Sequence, residues 1–133
     1  MTFEMTALVL ACGLGLFHII LASHAASLQR GYRWTASARD EQLPPLAGVA
    51  GRLGRAQANF LETFPIFAAL VLAVHVVDAH DWRTVWGVSL YVAGRAVYLP
   101  LYALGVPLVR SLVWNVAFAG IALLMWAVLL PRL

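Results

Sequence analysis

The sequence predicts an all-α integral membrane protein, and three observations support that prediction. Of the 133 residues, 62% are hydrophobic and only 11% are charged. The mean hydropathy is +0.83, whereas a soluble domain has roughly a quarter of its residues charged. The apolar residues also gather into four long runs, each long enough to cross a bilayer core as a helix, which takes about 20 residues. Most of the surface is therefore expected to face lipid.

The four runs make up a single transmembrane domain that occupies the whole chain. The spans are predicted at about 5–27, 53–77, 84–104 and 106–130 of residues 1–133. The first run is not typical of a signal peptide, because it follows Glu4 with no basic residue before it and exceeds the usual apolar length of about 7–15 residues. We therefore predict a four-helix transmembrane bundle with almost no extramembrane domain.

The charges of the connecting loops predict the orientation in the membrane. The loop over 28–52 is rich in arginine, whereas the loop over 78–83 contains two aspartates. Cytoplasmic loops of membrane proteins are enriched in Arg and Lys. We therefore expect a multi-pass protein of the inner membrane whose Arg-rich first loop is cytoplasmic and whose two termini are not.

Charge and cysteine content exclude several other classes of protein. The nine basic residues are all arginine, and with six acidic residues they give a net charge of +3. They are scattered between and within the apolar runs, whereas a nucleic-acid-binding protein concentrates such residues on one solvated face, so no nucleic-acid partner is predicted. Cys12 is the only cysteine, which excludes an intramolecular disulfide. No metal site is predicted, because His18 and His24 have no acidic or cysteine residue at ligand spacing.

Polar residues inside the second and third runs are the main functional signal. Ionisable groups are costly within a membrane and by default face a partner, a cavity or a ligand. Two sets recur at helical spacing, so each set occupies one face of its helix. They are Arg55, Asn59 and Glu62 in the second run, and Arg95, Tyr98 and Tyr102 in the third.

The two sets can be aligned by depth, because the second and third spans are expected to run antiparallel. A helix rises about 1.5 Å per residue. Counting from the cytoplasmic ends places Glu62 level with Arg95, and Arg55 level with Tyr102. The opposite charges predict a Glu62–Arg95 ion pair, which fits a purely structural bridge as well as a functional one.

Two further arginines, Arg55 and Arg110, have no acidic partner within the runs. A guanidinium keeps its charge at any working pH, and its planar set of donors suits a carboxylate, a phosphate or a thiolate. The sequence therefore predicts an anionic ligand near the cytoplasmic end. The alternative, which we favour for the loop arginines, is that these side chains extend to anionic lipid headgroups.

The residues also resemble a known family. The second run resembles the signature of the MAPEG family, the membrane-associated proteins of eicosanoid and glutathione metabolism, in the pattern Arg52-x-x-Arg55-Ala56-Gln57-x-Asn59-x-x-Glu62-x-x-Pro65-x-Phe67. The third run resembles the family's leukotriene C4 synthase branch in Arg95-x-x-Tyr98-x-x-x-Tyr102. Arg110-Ser111 resembles the Arg-Ser pair of its prostaglandin E synthase branch.

This resemblance implies a homotrimer of four-helix protomers that binds glutathione as a co-substrate between neighbouring protomers. The implied glutathione-binding set is Arg33, Arg55, Gln57, Asn59, Glu62, Arg95, Tyr98 and Tyr102. Arg110 would lie beside the sulfur and stabilise the thiolate, with Ser111 as the competing hydroxyl donor. The second substrate would be a lipophilic small molecule that enters from the lipid bilayer.

The leading hypothesis is therefore a glutathione-dependent membrane transferase or peroxidase, and two alternatives stay open. One is a protein of the same fold that binds no glutathione and has a structural or interaction role. The other is a small transporter that uses Glu62 as a proton-coupled carboxylate. The expected pairing of Glu62 with Arg95 argues against the transporter, because such a carboxylate must be free to titrate.

Overall fold

The computed structural model describes residues 1–130, which form five α-helices. These are α1 (Phe3–Arg30), α2 (Tyr32–Thr35), α3 (Gly48–Val76), α4 (Trp82–Ala103) and α5 (Val109–Leu129). No strand occurs over these 130 residues. The prediction of an all-α protein is confirmed, although the short α2 and the early start of α3 lie in the predicted loop.

Three of the helices, α1, α3 and α5, are long and apolar enough to cross a membrane. Helix α4 has 22 residues, but it is not among the candidate spans of the described chain. Its two arginines, Arg83 and Arg95, and its tyrosines make it less apolar than the other three. The predicted span over 84–104 therefore exists as a helix, and its passage through the membrane stays a prediction.

Local sequence explains where the helices begin and end. The Thr2 hydroxyl caps the start of α1, and the Asp81 carboxylate caps the start of α4 in a capping box with Thr84. Helix α1 ends at Gly31, whose φ of 94° is one that residues with a side chain rarely adopt. Gly105, with φ 73°, makes the tight turn that follows α4. These turns bring consecutive helices back alongside each other.

Helices α4 and α5 pack closely through small residues. A Cβ atom added to Gly120 would lie only 2.5 Å from the carbonyl oxygen of Gly87 and 2.9 Å from the amide nitrogen of Tyr91. Further along the same contact, a Cβ atom added to Gly94 would lie 3.1 Å from the Cβ atom of Ala117. Small residues allow helices in membranes to approach this closely. We name this close contact the α4–α5 seam. It holds α4 and α5, which carry half of the predicted site, against each other.

The two ends of the helix bundle differ in their polar contacts. At one end, where α3 and α5 begin, Arg52 Nε donates to the carbonyl oxygen of Ala103 at 2.8 Å. We name this the basic end. At the opposite end, the buried Glu4 carboxylate accepts a hydrogen bond from Thr84 Oγ1 at 2.6 Å and lies 3.1 Å from His80 Nδ1.

Large apolar side chains cover the outer surface of the long helices. Leu16 on α1, Leu72 on α3 and Leu112 on α5 are 63%, 48% and 66% exposed. Apolar surface of this extent is costly in water and favourable in the hydrocarbon core of a bilayer. The structure is therefore that of a protein whose long helices contact lipid, as the composition predicts.

Candidate functional site

A small cavity between α3, α4 and α5 near the basic end brings several predicted site residues together. Its volume is about 210 Å³. It is lined by Asn59, Tyr98, Arg110, Ser111, Trp114 and Asn115. The first four were predicted from the sequence, and they come from three different helices. We name this space the polar cavity.

Tyr102 connects two arginines beside the polar cavity. The Arg55 Nε atom donates to the Tyr102 hydroxyl at 3.3 Å, and the guanidinium carbon of Arg110 lies 4.4 Å from the centre of its ring. The ring of Tyr98 packs edge-on against Tyr102, with 5.5 Å between the two centres. The predicted alignment of Arg55 with Tyr102 is therefore confirmed.

Arg95 is completely buried beside the polar cavity, although it does not line it. Its Nη1 atom donates to Oδ1 of Asn59 at 2.8 Å. Its guanidinium carbon lies 4.7 Å from the ring centre of Tyr98 and 5.4 Å from that of Phe60. Its other two nitrogens, Nε and Nη2, have no hydrogen-bond partner among the described residues.

The predicted ion pair between Glu62 and Arg95 is wrong. Arg95 bonds to Asn59, and the ion pairs within residues 1–130 do not include Glu62, which is exposed on α3. Counting helical rises gives the height of a residue but not the rotation of its helix. In the structure this rotation turns Asn59 towards Arg95. The argument against a transporter that rested on the pair is removed with it.

Two other predicted residues lie away from the polar cavity. Gln57 faces a second cavity of about 290 Å³ beside α1 and α2, whose lining also includes Arg30 and Arg39. Arg33 is exposed on α2 and lines neither cavity. In a single protomer, the lining of the polar cavity therefore does not include Gln57, Arg33 or Glu62.

Two residues of the cavity wall, Trp114 and Asn115, were not among the predicted site residues. Trp114 stacks on Phe118 with 5.4 Å between ring centres, and the side-chain amide of Asn115 donates to the carbonyl oxygen of Ser111 at 2.9 Å. Both lie one helical turn beyond Arg110 and Ser111. For Asn115, the spacing of four residues from Ser111 was the signal that could have identified it.

The surroundings of the polar cavity are strongly cationic. Arg55, Arg95 and Arg110 all lie at or beside it, and the ion pairs between described residues involve none of them. Charges interact more strongly in a medium of low dielectric constant, and guanidinium groups form short, strong hydrogen bonds with anions. The arrangement can therefore hold a carboxylate and stabilise a thiolate.

Fold and site together define a helical membrane protein with a small cationic cavity near one end of its helices. The sequence pattern of the MAPEG family matches residues 6–130, nearly the whole chain. This chain belongs to the MAPEG family, as its residues suggested, and that family includes glutathione transferases and related proteins. Comparison with curated proteins and comparison with solved structures each give no match.

Proposed function

We propose that this protein is a glutathione-dependent membrane transferase or peroxidase that acts on lipophilic electrophiles. The observation that carries the proposal is the cluster of three arginines around a cavity that has no carboxylate in its lining. Glutathione supplies what this cluster lacks, since it has two carboxylates and a thiol that ionises to a thiolate. Membership of the MAPEG family supports the same choice.

Binding and chemistry are assigned to different arginines. Arg55 is exposed at the basic end and bonded to the Tyr102 hydroxyl, where it can bind a carboxylate of glutathione. Arg110 and Ser111 form part of the cavity wall, where the guanidinium can lie beside the sulfur. A cation at that point favours the thiolate over the thiol and makes the nucleophile available at neutral pH.

The reaction follows from a thiolate held in the polar cavity. The thiol proton passes to solvent, the sulfur forms a bond to an electrophilic carbon, and the leaving group departs with its electron pair. With an organic hydroperoxide, the thiolate attacks oxygen instead, which releases an alcohol, and a second glutathione then gives the disulfide and water. The lipophilic substrate enters from the bilayer.

We further propose that the site is completed in a homotrimer of four-helix protomers. Glu62 and Arg33 are exposed in one protomer, and Gln57 faces the second cavity. If the second cavity of one protomer meets the polar cavity of the next, these residues join the arginine cluster around one glutathione molecule. Helix α4 then crosses the membrane alongside α5, with the basic end cytoplasmic and the termini on the other side.

The test is glutathione binding to the protein purified in detergent, measured by calorimetry together with the ultraviolet absorbance of the thiolate. We expect the wild-type protein to bind glutathione and to show the thiolate signal, and Arg110→Ala to lose the signal. Ser89→Ala, on the outer side of α4, is the control and should behave as wild type. Absence of glutathione binding by the wild-type protein would overturn the proposal in favour of a structural or interaction role.

A further inference from the structure

We propose that Arg95 is a positioning residue, which fixes the side-chain amide of Asn59 so that its NH2 group points into the polar cavity. The inference rests on the proposed function in one respect, because it takes glutathione as the ligand of that cavity. It changes the role that the family resemblance implies for Arg95, from a direct contact with the ligand to an action through Asn59.

The geometry separates the two residues by their access to the ligand. Asn59 lines the polar cavity, whereas Arg95 is 0% exposed and does not line it. The hydrogen bond between Arg95 Nη1 and Asn59 Oδ1 is 2.8 Å long. The Arg95 guanidinium therefore contacts Asn59, and Asn59 in turn faces any molecule in the cavity.

The chemistry of the two groups fixes the direction of the amide. A guanidinium only donates hydrogen bonds, whereas a side-chain amide donates at its nitrogen and accepts at its oxygen. Arg95 can therefore hold only the oxygen of Asn59, which leaves the NH2 group for the cavity. Without Arg95 the amide could rotate and present its oxygen, which repels an anion.

This orientation of Asn59 adds a hydrogen-bond donor to a cavity wall that binds an anion through donors. The Tyr98 and Ser111 hydroxyls and the Arg110 guanidinium are among the other groups of the wall that can donate to an anion. With the NH2 group of Asn59 added, an anion meets donors from all three helices. The site is thereby selective for anions over neutral ligands of similar size.

Arg95 itself is held rigidly by aromatic rings. The rings of Tyr98 and Phe60 lie within 4.7 and 5.4 Å of its guanidinium carbon. Phe60 in turn stacks on the buried ring of His18, with 4.8 Å between their centres and an angle of 27°. Because its neighbours are buried too, the guanidinium stays at Asn59 and does not swing towards the ligand.

The first test reads the Asn59 amide directly and needs no ligand. The chain contains only two asparagines, Asn59 and Asn115, so protein labelled with 15N-asparagine gives two side-chain NH2 signal pairs by NMR. We expect Arg95→Met to shift the Asn59 pair and speed its exchange with water, while the Asn115 pair stays unchanged as an internal control. Arg95→Lys, which keeps one donor, should restore part of the wild-type signal. An Asn59 pair that is unchanged in Arg95→Met would overturn the proposal.

The second test is a double-mutant cycle on glutathione affinity, which separates action through Asn59 from an independent effect. We expect Arg95→Met and Asn59→Ala each to weaken binding about tenfold. The glutathione affinity of the double variant should also fall only about tenfold, since the two single variants and the double variant all lose the same contact. Arg95→Met combined with Ser111→Ala is the control, in which the two losses should multiply.

The outcomes distinguish this proposal from the proposed function. A roughly hundredfold loss in the Arg95 and Asn59 double variant, or full affinity in either single variant, would overturn the positioning role while glutathione binding stands. If the wild-type protein binds no glutathione but the Asn59 signal still responds to Arg95→Met, the proposed function fails and the positioning role stands. A purely structural role for Arg95 would lower thermal stability without changing the Asn59 signal.

Discussion

At the scale of single residues, Tyr102 contacts both arginines to which separate roles are proposed, Arg55 and Arg110. Its hydroxyl accepts a hydrogen bond from Arg55, and its ring faces the guanidinium of Arg110 at 4.4 Å. A cation over an aromatic face contributes about 0.5–2 kcal/mol, more when it is shielded from water. Tyr102 therefore keeps both guanidinium groups at the basic end and in fixed directions before a ligand arrives.

The roles proposed for Arg55 and Arg110 predict opposite effects of substitution. Arg110→Ala should reduce the thiolate signal and the conjugation rate about tenfold or more with a smaller change in glutathione affinity, because one pKa unit of the thiol corresponds to about 1.4 kcal/mol. Arg55→Ala should mainly weaken binding. Rapid-mixing kinetics with an aryl chloride and calorimetry with glutathione measure the two effects. Full activity of Arg110→Ala would show that its side chain only extends to headgroups, and loss of the thiolate signal in Ser111→Ala alone would move the role to Ser111.

The exposed position of Glu62 predicts a specific result for Glu62→Gln. Because the carboxylate forms no ion pair within the described protomer, its removal should change the free energy of unfolding by no more than about 0.5 kcal/mol. Glutathione affinity should fall, since the family resemblance implies that Glu62 belongs to the glutathione-binding set. Thermal unfolding in detergent and calorimetry check the two parts. A large loss of stability would contradict this prediction and indicate that Glu62 does pair with Arg95.

At the scale of helices, the α4–α5 seam determines the shape of the polar cavity. Tyr98 is on α4 and Arg110 on α5, so their separation depends on how closely the two helices approach at Gly87 and Gly120. That approach leaves no room for a methyl group at Gly120. The small residues of the seam therefore act on the site from a distance along the helices.

Gly120→Ala should destabilise the protein by about 1–3 kcal/mol, because the added methyl group meets backbone atoms that cannot move independently. It should also weaken glutathione binding by moving α5 relative to α4. Gly13→Ala is the matched control, since a Cβ atom there has no neighbour within 4 Å. Thermal unfolding and glutathione affinity are measured for both variants. Equal behaviour of the two would contradict close packing at the seam.

The start of α4 predicts a dependence of stability on acid. Hydrogen bonds from the Arg83 side chain lower the pKa of the Asp81 carboxyl below its ordinary value. A lowered pKa stabilises the fold above the unfolded-state pKa of about 3.9, and this contribution is lost as the pH falls through the folded-state pKa. Melting temperatures below about pH 4 should therefore fall more steeply for wild type than for Asp81→Asn. Parallel curves for the two proteins would count against this contribution.

At the scale of the whole molecule, the proposed sharing of the site between protomers can be tested by complementation. If Gln57 of one protomer serves the polar cavity of the next, a trimer mixed from Gln57→Ala and Arg110→Ala subunits contains some sites with both wild-type residues. Mixed trimers should then be more active than either pure variant. Native mass spectrometry confirms that the subunits have exchanged. Activity no higher than the average of the two pure variants would place each site within a single protomer.

The sequence allowed the helices and part of the site to be predicted. The apolar runs predicted the long helices, and helical spacing predicted that Arg55 and Tyr102 lie at the same height. Each of these predictions depends only on distance along the chain. The pairing of Arg95 with Asn59 could not be found in this way, because it depends on the rotation of α3 about its axis. Trp114 lay in an apolar run where nothing distinguished it from a side chain facing lipid.

The contact between Glu4 and Thr84 also has a consequence for the order in which the protein assembles. The two residues are 80 positions apart, so Glu4 is synthesised long before its partner on α4. A carboxylate without a partner is costly in the hydrocarbon core. The first turn of α1 therefore has no partner for its carboxylate on α4 until α4 has been synthesised, so the Glu4 end of the bundle can close only after α4 has joined it.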